Sequence, residues 1–264
     1  MITLCAIASG SNGNCYYIGN EREAVLIDVG ISARRAITRI HQRNIMPEKI
    51  KAILISHEHS DHTSGARIMS KRLKVPVYLT SRTYLAMYTH HRPLAPRFFE
   101  PGCEISVGSF RIFPFLKSHD AAEPCSFRIE CNGLHVGVFT DIGAPCENVR
   151  HHLGRCHALF LETNYDEKML WEGRYPWPLK KRIGSDHGHL SNDQAFELLR
   201  DYSGQQLKAV FLSHLSAENN TREIALNRFE ELKDKFNIHL TSRYEAGEVI
   251  HIGNNTEQGT LNFE

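Results

Sequence analysis

The apolar run Ala52-Ile53-Leu54-Ile55 leads directly into Ser56-His57-Glu58-His59-Ser60-Asp61-His62, which places three imidazoles and two carboxylates within six positions. A strand that finishes in such a segment delivers several metal-ligand side chains to one point. Neutral imidazole suits zinc and similar transition metals, and a carboxylate adds an anionic oxygen. His57, His59, Asp61 and His62 exceed what one tetrahedral ion takes from a single loop. The spacing therefore argues for two ions, with Asp61 and His62 turned toward the second. A solvated histidine-rich turn is the competing reading, since the chain has 16 His to scatter. It leaves the His-x-His-x-Asp-His spacing at a strand end unexplained. A structural zinc site is disfavoured, because such sites favour Cys-rich closed tetrahedra and the seven Cys here are scattered with no Cys-x-x-Cys pair.

Around this segment, short apolar strands alternate with helical stretches. Strands are expected at 4–8, 15–18, 24–28, 52–55, 77–79, 110–115, 126–130, 136–140, 158–161, 209–212 and 249–252, from their β-branched and aromatic content and turn-like flanks. Helices are expected at 33–44, 64–73, 81–88, 192–202 and 221–236; Ser191-Asn192-Asp193-Gln194 offers N-cap chemistry for the fourth. This is an α/β chain. No low-complexity linker divides it, so one domain over residues 1–264 is expected, with a polar tail from about Gly253. The net charge of +1 excludes a strongly basic footprint, so any nucleic-acid contact must rely on a local patch. No apolar run reaches transmembrane length, so no membrane partner is expected. The N-terminus lacks a charged region followed by a long apolar one, and no signal peptide is expected. Scattered, odd-numbered cysteines fit reduced thiols in a cytoplasm.

A weak internal repeat points to further donors. Lys51-Ala-Ile-Leu-Ile-Ser-His57 echoes Lys208-Ala-Val-Phe-Leu-Ser-His214, and Val25-Leu-Ile-Asp28-Val-Gly30 echoes Val138-Phe-Thr-Asp141-Ile-Gly143. The two matches in the same order suggest related halves meeting at a shared site; similar apolar strands alone are the alternative. His214 then stands like His57. Asp141 closes a strand, and a carboxylate can bridge two cations about 3.5–4 Å apart. His119, in Lys117-Ser118-His119-Asp120, follows another strand and completes the count.

His57-x-His59-x-Asp61-His62, then His119, Asp141 and His214 in order, resemble the metal motifs of the metallo-β-lactamase-fold hydrolases. The resemblance spans about residues 2 to 252. It implies an αββα four-layer sandwich, with two mixed β-sheets face to face, helices on the outer faces and metals at one sheet edge. By position, it implies that His57, His59 and His119 hold the first metal, that Asp61, His62 and His214 hold the second, and that Asp141 bridges. It also implies that Asp28 orients metal-site groups by hydrogen bonding. The bridging position is Asp141 rather than the Cys of many true β-lactamases, which points toward ester hydrolysis.

Two further stretches narrow the resemblance. Ser9-Gly10-Ser11-Asn12-Gly13-Asn14-Cys15 resembles the opening loop of the YycJ/WalJ-type branch, whose Gly-rich backbone can approach phosphate; a simple hairpin turn fits it as well. Leu212-Ser213-His214-Leu215-Ser216-Ala217-Glu218-Asn219-Asn220 also matches that branch. The stretch Gly188-His189-Leu190-Ser191 resembles the His-containing loop of the ribonuclease Z group. That makes His189 the expected catalytic acid, with His187 as competitor. The stretch between Asp141 and His214 is too short for the large inserted domain of the ribonuclease J type. It does hold Trp171-Glu172-Gly173-Arg174-Tyr175-Pro176-Trp177-Pro178-Leu179-Lys180-Lys181-Arg182, whose aromatics and bases could stack on nucleobases and bind phosphates. A surface arm packed on the body, or a homodimer contact, fits this segment equally. Tyr88, His90, His91, Arg92 and Arg97 form a second candidate rim.

The resemblance thus implies a binuclear phosphodiesterase using two divalent ions, zinc or manganese, and acting as a 5′-to-3′ exonuclease on double-stranded DNA. A metal-bridging hydroxide would attack, Asp61 would orient it, and His189 would protonate the leaving oxygen. Ser11, Asn12, Asn14, Lys180, Lys181 and Arg182 are the candidate DNA contacts. The alternatives are a small-molecule hydrolase, such as a cyclic phosphodiesterase or a glyoxalase II-like thioesterase, and a metal-loaded binding protein without turnover.

Overall fold

The strands pair into two seven-stranded sheets in the computed structural model, which describes residues 1–253. The first sheet contains β1 (Ile2–Ala8), β2 (Cys15–Gly19), β3 (Ala24–Ile27), β4 (Ile50–Leu54), β5 (Val77–Leu79) and β6 (Pro96–Phe98). The second contains β7 (Ile105–Val107), β8 (Phe110–Leu116), β9 (Cys125–Cys131), β10 (Leu134–Phe139), β11 (Ala158–Glu162), β12 (Ala209–Ser213) and β13 (Asn237–Leu240). A last strand, β14 (Ile250–Ile252), returns to pair with β1. The predicted polar tail lies, past Gly253, outside the described residues.

The sheet orders are β14-β1-β2-β3-β4-β5-β6 and β7-β8-β9-β10-β11-β12-β13. In each, four antiparallel strands are followed by three added in parallel. The two halves therefore share a topology, as the sequence echo suggested. Their pairing differs from the echo in one respect. β3 corresponds to β10, so Asp28 and Asp141 do stand in equivalent places. β4, however, corresponds to β11, not β12. β11, which ends at Glu162, thus takes the place of the strand that leads into Ser56-His57, and His214 follows a strand one place further out.

Apolar side chains facing inward from both sheets form the central core, where Tyr16, Val25 and Leu54 meet Phe110, Phe127 and Phe160. Outside the first sheet, α1 (Ala33–Gln42) and α3 (Ala66–Leu73) lay Ile37, Ile40 and Met69 on Leu26 and Ile53. On the outer face of the second sheet, α5 (Glu147–Leu153), α8 (Asn192–Tyr202) and α9 (Arg222–Arg228) cover Leu159, Leu161 and Val210. The result is the expected αββα sandwich of two mixed sheets. Between these helices come α2 (Ser60–Thr63) and α4 (Ser81–Ala86), then α6 (Glu167–Glu172) and α7 (Trp177–Ile183).

Three strands and several helices depart from expectation. β6, β7 and β13 were not predicted. All three are short sheet edges, where one flank is unpaired and a Pro, as at Pro96, is tolerated. α2, α5, α6 and α7 span two turns or fewer, too short for a periodic pattern to stand out. The helix expected over 221–236 stops at Arg228 and gives way to a 3₁₀ turn over Glu230–Leu232, which lets Phe229, Leu232 and Phe236 all enter the outer core. Among the described residues, no helix is long and apolar enough to cross a membrane.

Candidate metal centre

Strand direction decides where the donors meet. β3 and β4 run parallel, as do β10, β11 and β12, and β8 is antiparallel to β9, itself antiparallel to β10. The C-terminal ends of β8, β10, β11 and β12 thus share one edge, and they release His119, Asp141, Glu162 and His214 there. Asp28, Asp141 and His214 follow β3, β10 and β12 in the left-handed backbone region, at φ 59, 55 and 58°. Such a conformation costs an L-residue about 1–2 kcal/mol and persists only where surrounding structure over-determines it. It turns each chain sharply at the strand end.

Two groups of donors result, His57, His59 and His119, and Asp61, His62, Asp141 and His214, and a third set, Asp141, Glu162, His189 and His214, overlaps the second; the ligand atoms of each lie within 4.8 Å of one another. Four of the five rings in the first two groups are anchored through Nδ1, which leaves Nε2 to face the centre. His62 Nδ1 donates to Asp28 Oδ2 at 2.7 Å, and His214 Nδ1 donates to Glu162 Oε1 at 2.8 Å. His119 Nδ1 meets the Gly188 carbonyl at 2.9 Å, and His57 Nδ1 meets Ser56 Oγ at 2.9 Å. His59 instead turns Nδ1 inward, 3.1 Å from His57 Nε2 and 3.4 Å from His119 Nε2. Anchoring the outer nitrogen fixes both tautomer and ring direction, which is how metal-ligating histidines are held. Asp28 accepts from the Ser56 amide and hydroxyl as well as from His62.

Asp141 lies between the groups. Its Oδ2 is 3.2 Å from His62 Nε2, and its Oδ1 is 3.6 Å from His214 Nε2 and 3.9 Å from His119 Nε2. Asp61 Oδ2 is 3.5 Å from both His62 Nε2 and His214 Nε2. Asp141 Oδ2 and His214 Nε2 are nonetheless buried without a hydrogen-bond partner among the described residues. Buried polar atoms left this way call for an ion or a water, and a divalent cation bound here would satisfy them. The donor set, imidazole and carboxylate without thiolate, fits zinc or manganese.

The electrostatics divide the two groups. Burial, helped by His62 and Lys117, holds His57 well below the usual imidazole range, and burial with Lys117 and His189 pushes His119 down to about 3. Both rings are therefore neutral, as ligands must be. In the second group burial also opposes charge, yet the carboxylates outweigh it. Asp141, Asp61 and Glu162 raise His214 to about 10, and Asp141, Asp61 and Asp28 raise His62. Without a cation, protons neutralise this group.

Glu162, which sequence reasoning passed over, ties the centre to its flank. It is fully buried. Its Oε1 accepts from His189 Nδ1 and His214 Nδ1, both at 2.8 Å, and its Oε2 accepts from the Ile142 and Leu190 amides at 2.6 and 3.3 Å. Burial would raise its pKa, but His189 and His214 lower it to about 2. The available signal was a carboxylate closing the apolar strand Ala158-Leu-Phe-Leu. His189 and His187 separate cleanly. The His189 ring lies 5.3 Å from those of His119 and His214, whereas His187 is exposed and meets Ser118 Oγ at 3.2 Å.

A cleft of about 430 Å³ opens on the centre, lined by Ser11, Glu58, Asp61, Tyr88, Arg182 and His189 among others. Of the candidate substrate contacts, Ser11 and Arg182 reach it. Asn12 is exposed outside it, and Lys181 lies over the Trp177 ring at 5.4 Å. Two assignments need correction. Asn14 is fully buried, and its amide is engaged by Gly10, Asp61 and His62. It braces the site wall and has no surface for a substrate. Lys180 is buried too, because its Nζ donates to the Trp171 carbonyl at 2.7 Å and locks α7 onto α6. Trp171 and Trp177 pack on each other at 5.6 Å. On the other rim, Arg97 sits on β6, outside the cleft lining.

The sequence profile of the metallo-β-lactamase superfamily matches residues 8–153. The chain is 34% identical over 222 residues to exodeoxyribonuclease YycJ of Bacillus anthracis, covering 83% of this chain and 84% of that protein. Identity to exodeoxyribonuclease WalJ of Streptococcus pneumoniae is 33% over 224 residues, 83% of each. Among solved structures, the metallo-β-lactamase fold protein YhfI from Bacillus subtilis superposes with a TM-score of 0.71 at 16% identity, over 95% of this chain and 100% of that one.

Proposed function

The chain belongs to the metallo-β-lactamase superfamily as a metal-dependent hydrolase of the YycJ/WalJ-type branch, and from that premise we propose that it is a binuclear phosphodiesterase degrading DNA from an end in the 5′-to-3′ direction. The observation that carries this reading is the pair of adjacent donor groups, with Asp141 of the second 3.9 Å from His119 of the first and His189 beside them in the lining of an open cleft. His57, His59 and His119 would hold one zinc or manganese ion, Asp61, His62 and His214 the other, and Asp141 both. Bound there, two divalent cations supply an acidified water and neutralise phosphate charge.

The chain's own groups do the rest. Asp61 has 24% of its side chain exposed against 2% for Asp141, so it is the ligand carboxylate that can accept a hydrogen bond from the attacking hydroxide and aim it. Glu162 fixes Nδ1–H of His189 and steadies an imidazolium, which leaves Nε2 to give its proton to the departing oxygen. Arg182, held to Asp120, offers a guanidinium fork to a phosphate on the cleft wall. The names of the two relatives support DNA as substrate. Buried thiols such as Cys5 and Cys156, pushed up to about 12 by burial, suit a reducing cytoplasm.

The test is direct. Metal content is measured, and the loaded protein is then assayed on 5′-labelled duplex DNA, single strands, RNA and a thioester across a salt series. Expected are stepwise loss of 5′-nucleotides from duplex DNA and steep weakening with salt through counterion release. Thioester turnover with no cleavage of any nucleic acid would overturn the proposal in favour of a small-molecule hydrolase.

A further inference from the structure

An exposed aromatic stands over the cleft with no role in the chemistry above. Tyr88 is 62% exposed and lines the cleft with Ala86 and Asp61. Large rings at a protein surface are ordinarily mobile or packed down, yet this one is presented by a tightly tied loop. The His91 amide donates to the Tyr88 carbonyl at 2.9 Å, and His91 Nδ1, buried, meets Thr63 Oγ1 at 3.2 Å, one residue beyond His62. Arg92 donates to the Met87 and Leu85 carbonyls, and Arg67 donates to that of Arg92. The ring itself is flanked by His90, near parallel at 25° and 5.7 Å, and by His91 edge-on at 5.7 Å. Its register to the metal ligands is thereby set through α2. Arg182 lines the same cleft.

Resting on the phosphodiesterase reading, we propose that Tyr88, backed by His90, is the stacking platform for the nucleobase adjoining the phosphate at the metal centre. A rigid π-face beside a phosphate site is what a base needs, because every base has a face to stack and the contact tolerates all sequences. Arg182 would grip the phosphate while Tyr88 holds the base, so that the nucleotide is oriented from two sides. A small diester without a base has nothing to gain from this rim.

The experiment is a cycle of protein and substrate changes on duplex DNA. Tyr88→Ala is expected to lower kcat/KM about 5- to 150-fold, the range for one aromatic–base stack, and Tyr88→Trp to retain activity. An abasic residue placed beside the scissile phosphate should cost the wild-type protein the same factor and cost Tyr88→Ala little more. Fluorescence of 2-aminopurine at that position should be quenched on binding the wild-type protein and not the Ala variant. Equal losses on intact and abasic DNA, or no loss with Tyr88→Ala, would overturn the stacking role and leave the nuclease reading standing. Failure of the wild-type protein to cleave DNA at all would overturn both.

Discussion

A carboxylate that accepts four hydrogen bonds is an anchor rather than a ligand, and Glu162 is built that way. Its two imidazole partners, His189 and His214, belong to the proposed acid and to the proposed second metal position. Glu162→Gln keeps the shape but swaps one acceptor oxygen for an NH₂ that opposes ring N–H donors. Loss of such a supporting contact to a metal site typically costs about 10–100-fold in metal affinity or activity. The variant is therefore expected to lose activity in that range, with reduced occupancy of one metal position measured by elemental analysis. Full activity and full occupancy would refute the anchoring role. At this scale the sequence announced His57, His59, Asp61, His62, His119, Asp141 and His214 as donor types at strand ends, and the chain brings all seven together. Glu162 stayed hidden because a lone Glu after a strand has no spacing to distinguish it. Asn14 and Lys180 were misread because burial, which decides whether a polar group meets solvent or its own protein, is not a property of local sequence.

At the scale of elements, the Asp-x-Gly endings of β3 and β10 do the same mechanical job. A Cβ on Gly30 would lie 1.5 Å from the Asp61 carbonyl, and one on Gly143 would lie 2.2 Å from that of Asp186. Each glycine thus admits a segment that carries site residues. Far from the centre, the β9–β10 hairpin and α5 enclose another titrating group. Arg128, 4% exposed, donates to His152 Nδ1 at 3.1 Å and contacts His135 Nδ1 at 2.7 Å. Burial first, then Arg128, lowers His152 to about 3 and His135 to about 4. The unfolded chain takes up these protons near 6.5, while the fold refuses them until about 4 and 3. Stability should therefore fall as pH drops below about 6.5, because the unfolded state binds more protons there. The urea midpoint is expected to decline from pH 6.5 to 4, and a His135→Gln/His152→Gln variant should show a shallower slope. An unchanged slope would mean other groups govern acid unfolding. Helix α8 was readable to its ends from Ser191 and Gln194, whose reciprocal bonds form a capping box. The short helices α5, α6 and α7 were not, since two turns carry too few residues for a period.

For the whole molecule, the two sheets of like topology close on a polar centre that is held in place by the apolar core behind it. Metal-free, the second donor group keeps protons: His214 is raised to about 10 from an ordinary 6.5. That proton's contribution to stability is full below about pH 6.5 and is lost as pH rises through about 10. A cation needs the ring neutral, so binding must release a proton at neutral pH, and metal affinity should strengthen as pH rises toward 10. Calorimetry in buffers of different ionisation enthalpy would register the release; pH-independent binding would exclude this linkage. Chelation should lower the melting temperature, since an ion at a thousand times its Kd stabilises by about 4 kcal/mol. The amino-acid sequence alone determined the α/β class, the strands that end in donors and the chemistry of those donors, because alternation, strand propensity and ligand type are local properties. Tertiary structure alone decided that β11 lies between β10 and β12. That placement makes Glu162, not His214, the counterpart of the His57 strand end. It also sets His189, and not His187, against the buried Glu162, because which of two nearby imidazoles faces a buried carboxylate depends on how a loop folds back across strands distant in the chain.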